Sequence, residues 1–176
     1  PPLEISRKKF GQLLDRGFPI DHCVLRIDPC IPTEKGLETM CKVVESFSDT
    51  GIKRVRFSVL DMYDHVKKRF NESGIELPYE TFHAPLEDRK KMYDVLCELG
   101  EKYGFTVEVC AEPGIESISC LSQKDIDILG LTDKIKLVGN KGQRSNCSCP
   151  SNKVELIKDG FKKKCGNACK YCYIKW

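Results

Sequence analysis

The sequence predicts an α/β fold built on a parallel sheet in which three strands alternate with helices. Two observations predict it. Short segments of strand character alternate along the chain with longer segments whose apolar residues recur at helical spacing. Pro and Gly residues separate these segments. Because such an alternation gives parallel strands with right-handed crossovers, we expect one domain over residues 1–138, followed by a cysteine-rich metal-binding segment over residues 139–176 packed on it.

The composition is typical of a folded protein. A chain of 176 residues can bury a real core, and 40% hydrophobic with 31% charged residues argues against disorder. A net charge of +3 is too small to indicate a nucleic-acid partner by itself. No apolar run is long enough to cross a membrane and no signal peptide is present, so we expect a cytoplasmic protein without a membrane partner. Because the chain opens on Pro1 rather than methionine, we expect a trimmed product or a fragment.

The individual elements follow from periodicity and from residues that begin or end helices. We predict strands at residues 23–28, 54–60 and 105–110. We predict helices at residues 5–16, 33–48, 63–70, 85–103 and 122–129. Thr33 and Ser122 can cap helix starts, and Pro85 suits a first turn. Gly51 and Gly104 supply left-handed stops after two of the helices.

The three predicted strands share a charged face. Side chains alternate between the two faces of a strand, and here one face of each strand is apolar while the other is polar. The polar set is Arg26, Asp28, Arg54, Arg56, Ser58, Thr106, Glu108 and Cys110. Ordinary parallel strands are apolar on both faces. We therefore favour a face that lines a site in a partial or permuted TIM-like barrel, over a solvent-exposed sheet edge or charges paired within the protein.

Three acidic residues are predicted at the carboxyl ends of the strands. Asp28 ends the first strand, which we expect to stop at Pro29, while Asp61 and Glu112 follow the second and third strands. Function in such folds gathers at this edge, so these three are candidate catalytic residues that can bind a cation, an amine or ribose hydroxyls. The alternative is that Asp28 and Asp61 cap turns or neighbouring helices. The three histidines follow no metal spacing, and we expect His65 at the surface.

Eleven cysteines without a secretory signal favour metal ligation over disulfides. Cys23, Cys41 and Cys97 fall in apolar patterns and are predicted to be core residues. Four others can supply thiolates to zinc or to an iron–sulfur cluster; they are Cys110, Cys120, Cys147 and Cys149. The alternative is that the first two of them only pack.

The most specific pattern is Cys165, Cys169 and Cys172, spaced Cys-x3-Cys-x2-Cys. Three thiols this close can converge on one metal centre and leave one coordination position open. Structural zinc sites usually use paired Cys-x2-Cys knuckles, so an iron–sulfur cluster is favoured over zinc. The preceding lysines, residues 162–164, can lower thiol pKa values or contact a phosphate backbone. Their default interpretation is solvated surface.

With Tyr171 before its last cysteine, this pattern resembles the signature of radical S-adenosylmethionine enzymes. The resemblance implies that the three thiolates hold a [4Fe–4S] cluster whose open iron binds S-adenosylmethionine, with Tyr171, Gln143 and Arg144 as cofactor contacts. The end of the chain, residues 171–173, is also similar to spore photoproduct lyase and its relatives, which repair DNA. That similarity implies a nucleic-acid substrate.

The chain as a whole resembles the carboxyl-terminal portion of an uncharacterised family of bacterial and phage proteins. The resemblance rests on residues 26–29, 58–63, 110–112, 120, 141–144, 147–149 and 165–173. In radical S-adenosylmethionine enzymes the cysteine motif follows the first barrel strand, whereas here it lies at the carboxyl end. The resemblance therefore implies an amino-terminal half or a partner chain that completes the barrel. The alternative function is a zinc-stabilised, non-enzymatic module that binds nucleic acid or protein.

Overall fold

The computed structural model describes residues 2–138, 147, 149–152, 167 and 169–174. The elements, in chain order, are α1 (Leu3–Asp15), β1 (Leu25–Cys30), α2 (Glu34–Phe47), β2 (Arg54–Val59), α3 (Asp64–Glu72), α4 (Leu86–Tyr103), β3 (Thr106–Val109) and α5 (Gln123–Ile128). Two short 3-10 turns, Ile20–His22 and Ser48–Thr50, lie between them. The predicted alternation of strands and helices is confirmed.

The three strands form one open parallel sheet in the order β1-β2-β3. In register, Arg56 of the central strand lies between Arg26 of β1 and Glu108 of β3. Every residue of β2 is buried. Within the described residues the sheet has two open edges, β1 and β3, so the predicted parallel sheet is confirmed while closure into a barrel stays a prediction.

Strand β1 does not stop at Pro29, as the sequence predicts, but runs on to Cys30. The Asp28–Pro29 peptide bond is cis, and the register with β2 shifts between Ile27 and Cys30. Proline cannot donate to a strand ladder, and it is tolerated here because β1, among the residues that the structure describes, has a partner strand on one side only. The predicted stop at Pro29 is wrong because a missing N–H ends a strand only where that N–H would face a partner strand.

The apolar face of the sheet packs under α2 and α4. Phe57 of β2 meets Met40 and Val44 from α2 and Met92 and Leu96 from α4 in one cluster. Burying a side chain of this size stabilises the fold by about 1.5–3 kcal/mol. This cluster fixes the apolar side of the sheet, so the polar side and the carboxyl edge are left for other contacts.

The predicted core thiols are less buried than expected. Cys23, Cys41 and Cys97 are all half-buried rather than enclosed. Cys41 packs against the apolar cluster without being fully buried in it. Cys30, at the end of β1, is more deeply buried than these three cysteines.

Three of the predicted helix ends are confirmed, whereas Pro85 lies just before the first turn of α4 and not in it. The Thr33 side chain accepts a hydrogen bond of 3.1 Å from the Gly36 amide at the start of α2. Ser122 forms a reciprocal capping box with Asp125 at the start of α5. Gly104 ends α4 in the left-handed region.

Among the described residues, no helix combines the length and the apolar character that crossing a bilayer requires.

Candidate functional site

Three charged residues of this face, Arg54, Arg56 and Glu108, belong to a buried salt-bridge network. Arg54 Nε lies 2.8 Å from Glu108 Oε1, and Arg56 Nη2 lies 2.6 Å from Glu108 Oε2. Asp125 of α5 completes the network, with its Oδ1 2.5 Å from Arg54 Nη2. The prediction that this face lines a site is wrong for these residues, because α5 covers them and its carboxylate pairs with the arginines.

The network holds both carboxylates in their charged form. Burial alone would raise the pKa of Glu108, but hydrogen bonds from Arg54 and Arg56 lower it below its usual value. Burial also opposes ionisation of Asp125, yet hydrogen bonds from the Ser122 backbone and from Arg54 lower the pKa of Asp125 to about 2. These four charges therefore stabilise α5 against the sheet and are not available to a ligand.

Two of the predicted catalytic acids are bonded to the end of β2. Asp28 accepts a hydrogen bond from the Ser58 hydroxyl and pairs with Arg26 at 2.9 Å. Glu112 accepts a bond of 2.7 Å from the Val59 amide and is almost fully buried. The two carboxylates thus converge on consecutive residues of the central strand. Asp28 keeps the more open position, with 31% of its side chain exposed.

The third acid, Asp61, forms a dyad with His83. His83 Nδ1 lies 2.9 Å from Asp61 Oδ1, and the two residues also form an isolated antiparallel bridge. The Asp61 side chain is buried, whereas 29% of the His83 side chain is exposed. A buried carboxylate that orients a partly exposed imidazole can position it to take or give a proton. His83 is not predicted as a site residue, because its 22-residue separation from Asp61 carries no periodic signal.

Ala111 changes the direction of the chain at the end of β3. Its φ of 56° lies in the left-handed region, which costs a residue other than glycine about 1–2 kcal/mol. On one side of it Cys110 packs among other thiols, and on the other side Glu112 reaches back to the β2 backbone. Strained residues of this kind tend to occur at functional sites.

Cys110, Cys120, Cys147 and Cys149 lie together as a four-thiol cluster. The Sγ atoms of Cys110 and Cys120 are 3.0 Å apart, and the Cys120 amide donates to Cys149 Sγ at 3.2 Å. Cys149 and Cys147 share a further hydrogen bond. Arg26 Nη1 lies 3.6 Å from Cys120 Sγ. The fold therefore brings together the four residues that the sequence grouped by composition.

The thiols of this cluster differ in acidity. A hydrogen bond from Cys110 and the positive charge of Arg26 lower the pKa of Cys120 to about 5, although burial opposes this. The same hydrogen bond and burial raise the pKa of Cys110. None of the described cysteines is in a disulfide. Within the described ranges, no group of three or more His, Cys, Asp or Glu side chains is ready to hold a metal ion.

The C-terminal cysteine segment, residues 169–174, docks on α3. Arg69 Nη1 donates to the main-chain oxygen of Cys172 at 2.6 Å, and Arg69 Nη2 donates to that of Ile174 at 2.6 Å. One turn earlier on the same helix, His65 Nε2 lies 2.8 Å from the oxygen of Tyr173. Helix α3 follows β2, so the segment lies near the carboxyl edge of the sheet. His65 is only partly buried, and this contact gives it a role that the sequence analysis does not predict.

Tyr171 reaches a cavity of about 280 Å³ at the end of β1 and the start of α2. Pro29, Cys30, Thr33 and Gly36 line the same cavity. A hydrogen bond with Cys169, together with burial, raises the pKa of Tyr171. The aromatic residue of the cysteine motif thus links the C-terminal segment to the first strand.

Some predicted site residues lie outside the described residues: Cys165, Gln143, Arg144 and the lysines at 162–164. Two features were not predicted from the sequence: the role of Arg69, and the contact of Arg26 with Cys120. A signal for Arg69 exists, because residues 65 and 69 are one helical turn apart and share a face of α3. No local signal could pair Arg26 with a cysteine 94 residues away.

Comparison with known proteins places the chain in a family without supplying a function. No curated protein and no solved structure matches the chain significantly. One family model matches residues 2–174, which is nearly the whole chain. The chain therefore belongs to the family described as Domain of unknown function (DUF1848).

Proposed function

We propose that this chain is an iron–sulfur enzyme of the radical S-adenosylmethionine type, with Cys165, Cys169 and Cys172 as the cluster ligands. The observation that carries the proposal is the docking of the C-terminal cysteine segment on α3 through Arg69 and His65. This contact supports an active site because Cys169 and Cys172 then lie beside the carboxyl edge of a parallel sheet, where function gathers in such folds.

The way the segment is held fits a cluster. Arg69 and His65 bond to main-chain oxygens, so they fix the backbone without occupying the sulfur atoms of Cys169 and Cys172. Both thiols are half-buried. Thiolates are the ligands that iron–sulfur clusters require, and a partly enclosed position limits contact with solvent. When bound, such a cluster supplies one electron that breaks the S–C5′ bond of S-adenosylmethionine, releases methionine and, after hydrogen-atom transfer from substrate, leaves 5′-deoxyadenosine.

The residues of this edge would bind and orient the cofactor and the substrate. Asp28 is the acid best placed to accept ribose hydroxyls, because its side chain is partly exposed and lies on the strand next to the Tyr171 cavity. Asp61 and Glu112 are more buried, so their part is to position neighbours. His83, oriented by Asp61, would take or give a proton. Gln143 and Arg144 remain proposed cofactor contacts.

The remaining parts of the proposal rest on resemblance and on the open sheet. We propose a nucleic-acid substrate and a cytoplasmic location. The two open edges, β1 and β3, support an additional amino-terminal half or partner chain that extends the sheet towards a barrel.

Anaerobic purification tests the proposal. The protein should be brown, contain about four irons per chain bound through the C-terminal motif, and form 5′-deoxyadenosine from S-adenosylmethionine when reduced with dithionite. Cys169→Ala should lose both iron and turnover, while Cys97→Ala, a half-buried thiol on α4, should retain both. Turnover in Cys169→Ala would refute the ligand assignment. Colourless protein with zinc at the C-terminal motif would refute the enzyme and support the alternative, a zinc-stabilised binding module.

A further inference from the structure

The four-thiol cluster stands apart from the proposed catalytic motif. Cys110 and Cys149 are 1% exposed and Cys147 is 9% exposed, and together with Ala111 they form a buried group separate from the main core. A free cysteine usually behaves as a small apolar residue and is spread through a core. Here four of them gather at one point where the surrounding charges are an arginine and a carboxylate.

We propose that Cys110, Cys120, Cys147 and Cys149 bind a single zinc ion in a closed, structural site. The donor set fits, because tetrahedral sites with four thiolates are typical of zinc. All four positions come from protein and three of the thiols are buried, so no coordination position is left for substrate. The inference does not rest on the proposed function, since it uses none of the C-terminal thiols.

The spacing of the sulfur atoms favours one ion over a polynuclear cluster. Zinc–sulfur bonds of about 2.3 Å in a tetrahedron place neighbouring sulfur atoms about 3.8 Å apart. The Cys110 and Cys120 sulfur atoms are 3.0 Å apart, so they need to separate by less than 1 Å. In a four-iron cluster each thiolate binds a different iron, so the thiolates surround an inorganic core and do not touch. Sulfur atoms already in contact therefore suit a single ion.

The surroundings suit anionic sulfur. The Cys120 amide donates to Cys149 Sγ, and Arg26 Nη1 approaches Cys120 Sγ. Four thiolates around one divalent ion carry a net charge of −2, which hydrogen bonds and a guanidinium compensate. Arg56 Nη1 also donates to the Cys120 carbonyl at 2.6 Å and so fixes the loop that carries this ligand.

A site here would anchor the chain ahead of the C-terminal motif. The residues after Cys149 are held against the end of the described domain, with the Ser151 amide 2.8 Å from the Val138 oxygen. Zinc would tie this stretch to Cys110 at the end of β3 as well. Binding of the ion would release the thiol protons, and its free energy would add to folding.

Metal analysis of the full chain tests the inference. Protein expressed with both zinc and iron present, then purified in air, should contain about one zinc per chain. A variant with Cys165, Cys169 and Cys172 all changed to Ala should keep that zinc, as should the control Cys97→Ser. Cys120→Ser should lower zinc occupancy at least tenfold. Zinc retained in Cys120→Ser, or zinc lost with the C-terminal thiols, would overturn the assignment.

Cobalt(II) titration keeps the test valid if Cys120→Ser fails to fold. Metal-free wild-type chain and the C-terminal triple variant should both take up one cobalt per chain, with the sulfur-to-cobalt charge-transfer intensity of four thiolates and the visible bands of a tetrahedral ion. Octahedral spectra, fewer than four thiolates, or a Cys110–Cys120 disulfide in fresh, zinc-free protein would contradict the inference. Protein that binds zinc at this site but has neither iron nor turnover would support the zinc site and refute the proposed enzyme. Protein that has iron and turnover but no zinc would refute the zinc site and support the proposed enzyme.

Discussion

Arg69 of α3 donates a 2.6 Å hydrogen bond to the main-chain oxygen of Cys172. The same guanidinium donates a second bond of 2.6 Å to the main-chain oxygen of Ile174. One buried side chain therefore binds the C-terminal cysteine segment at two points. The two bonds use different nitrogens of one rigid, planar guanidinium, so little side-chain freedom is lost for each bond formed. The position of the candidate catalytic motif therefore depends on a residue outside that motif.

Arg69→Ala should release the C-terminal cysteine segment. Hydrogen bonds that involve a charged group contribute about 1.5–3 kcal/mol each, so the loss of two should raise chymotrypsin cleavage after Tyr171 and Tyr173 by tenfold or more. Cleavage can be followed by mass spectrometry. Lys68→Ala is the matched control, because Lys68 is exposed and pairs only loosely with Glu72 at 3.7 Å. Equal cleavage rates in the two variants would contradict the docking role of Arg69.

Glu108→Gln should strongly destabilise the fold. Glu108 pairs with both Arg54 and Arg56 in a buried network, and removing one partner from such a network leaves charges without compensation, at a cost of about 3–5 kcal/mol. Urea denaturation measures the free energy of unfolding. Glu38→Gln is the control: its exposed pair with Lys35 should contribute less than about 1 kcal/mol. A similar small effect for both variants would show that the network is not energetically coupled to folding.

Acid should weaken the attachment of α5. The pKa of Asp125 is about 2 in the folded protein, below its usual value of about 3.9, so its stabilisation is present above pH 4 and is lost as the pH falls towards 2. The loss should be on the order of 2 kcal/mol. The groups that face Asp125 are Arg54, Arg56 and Ser122, with Glu108 beside them. Urea midpoints measured from pH 6 to pH 2 should fall steeply for the wild type.

Asp125→Asn checks which group causes that acid dependence. The variant should be less stable at pH 6 and should show a flatter profile between pH 4 and pH 2, because it has no proton to take up at this position. An unchanged slope would assign the acid sensitivity to Glu108, whose pKa is also lowered by the two arginines.

The elements of the fold were predictable because their signals are local. Apolar spacing within ten to twenty residues located the strands and helices, and Thr33, Ser122 and Gly104 marked helix ends through their own side chains or backbone freedom. Pro29 shows the limit of such arguments: whether proline is tolerated depends on whether the strand has one neighbour or two.

The site was predictable only in part, because its contacts are distant in sequence. Alternation correctly put Arg54, Arg56 and Glu108 on one face, but it could not show that Asp125 covers them from α5. Composition grouped the four central thiols, yet the 3.0 Å approach of Cys110 to Cys120 depends on the turn at Ala111. Periodicity states which residues share a surface, whereas tertiary packing decides what lies against it.

Two glycine substitutions should have opposite effects although both lie in helices. Alanine normally stabilises a helix by about 0.5–1 kcal/mol relative to glycine. A Cβ at Gly11 of α1 would meet nothing within 4 Å, so Gly11→Ala should show that gain. A Cβ at Gly36 of α2 would lie 1.8 Å from the Ile31 carbonyl oxygen. Because this oxygen belongs to the backbone, it cannot move away by a side-chain rotation.

Gly36→Ala should therefore destabilise the protein by about 1–3 kcal/mol or more, because the start of α2 has to move away from the end of β1. Thr33, which caps this helix, and Tyr171 line the same cavity as Gly36, so the shift should also alter the surroundings of the C-terminal tyrosine. Thermal unfolding of Gly11→Ala and Gly36→Ala measures the change in stability that each substitution causes relative to the wild type. Stabilisation by both substitutions would mean that β1 and α2 do not approach as closely as the Gly36 contact requires.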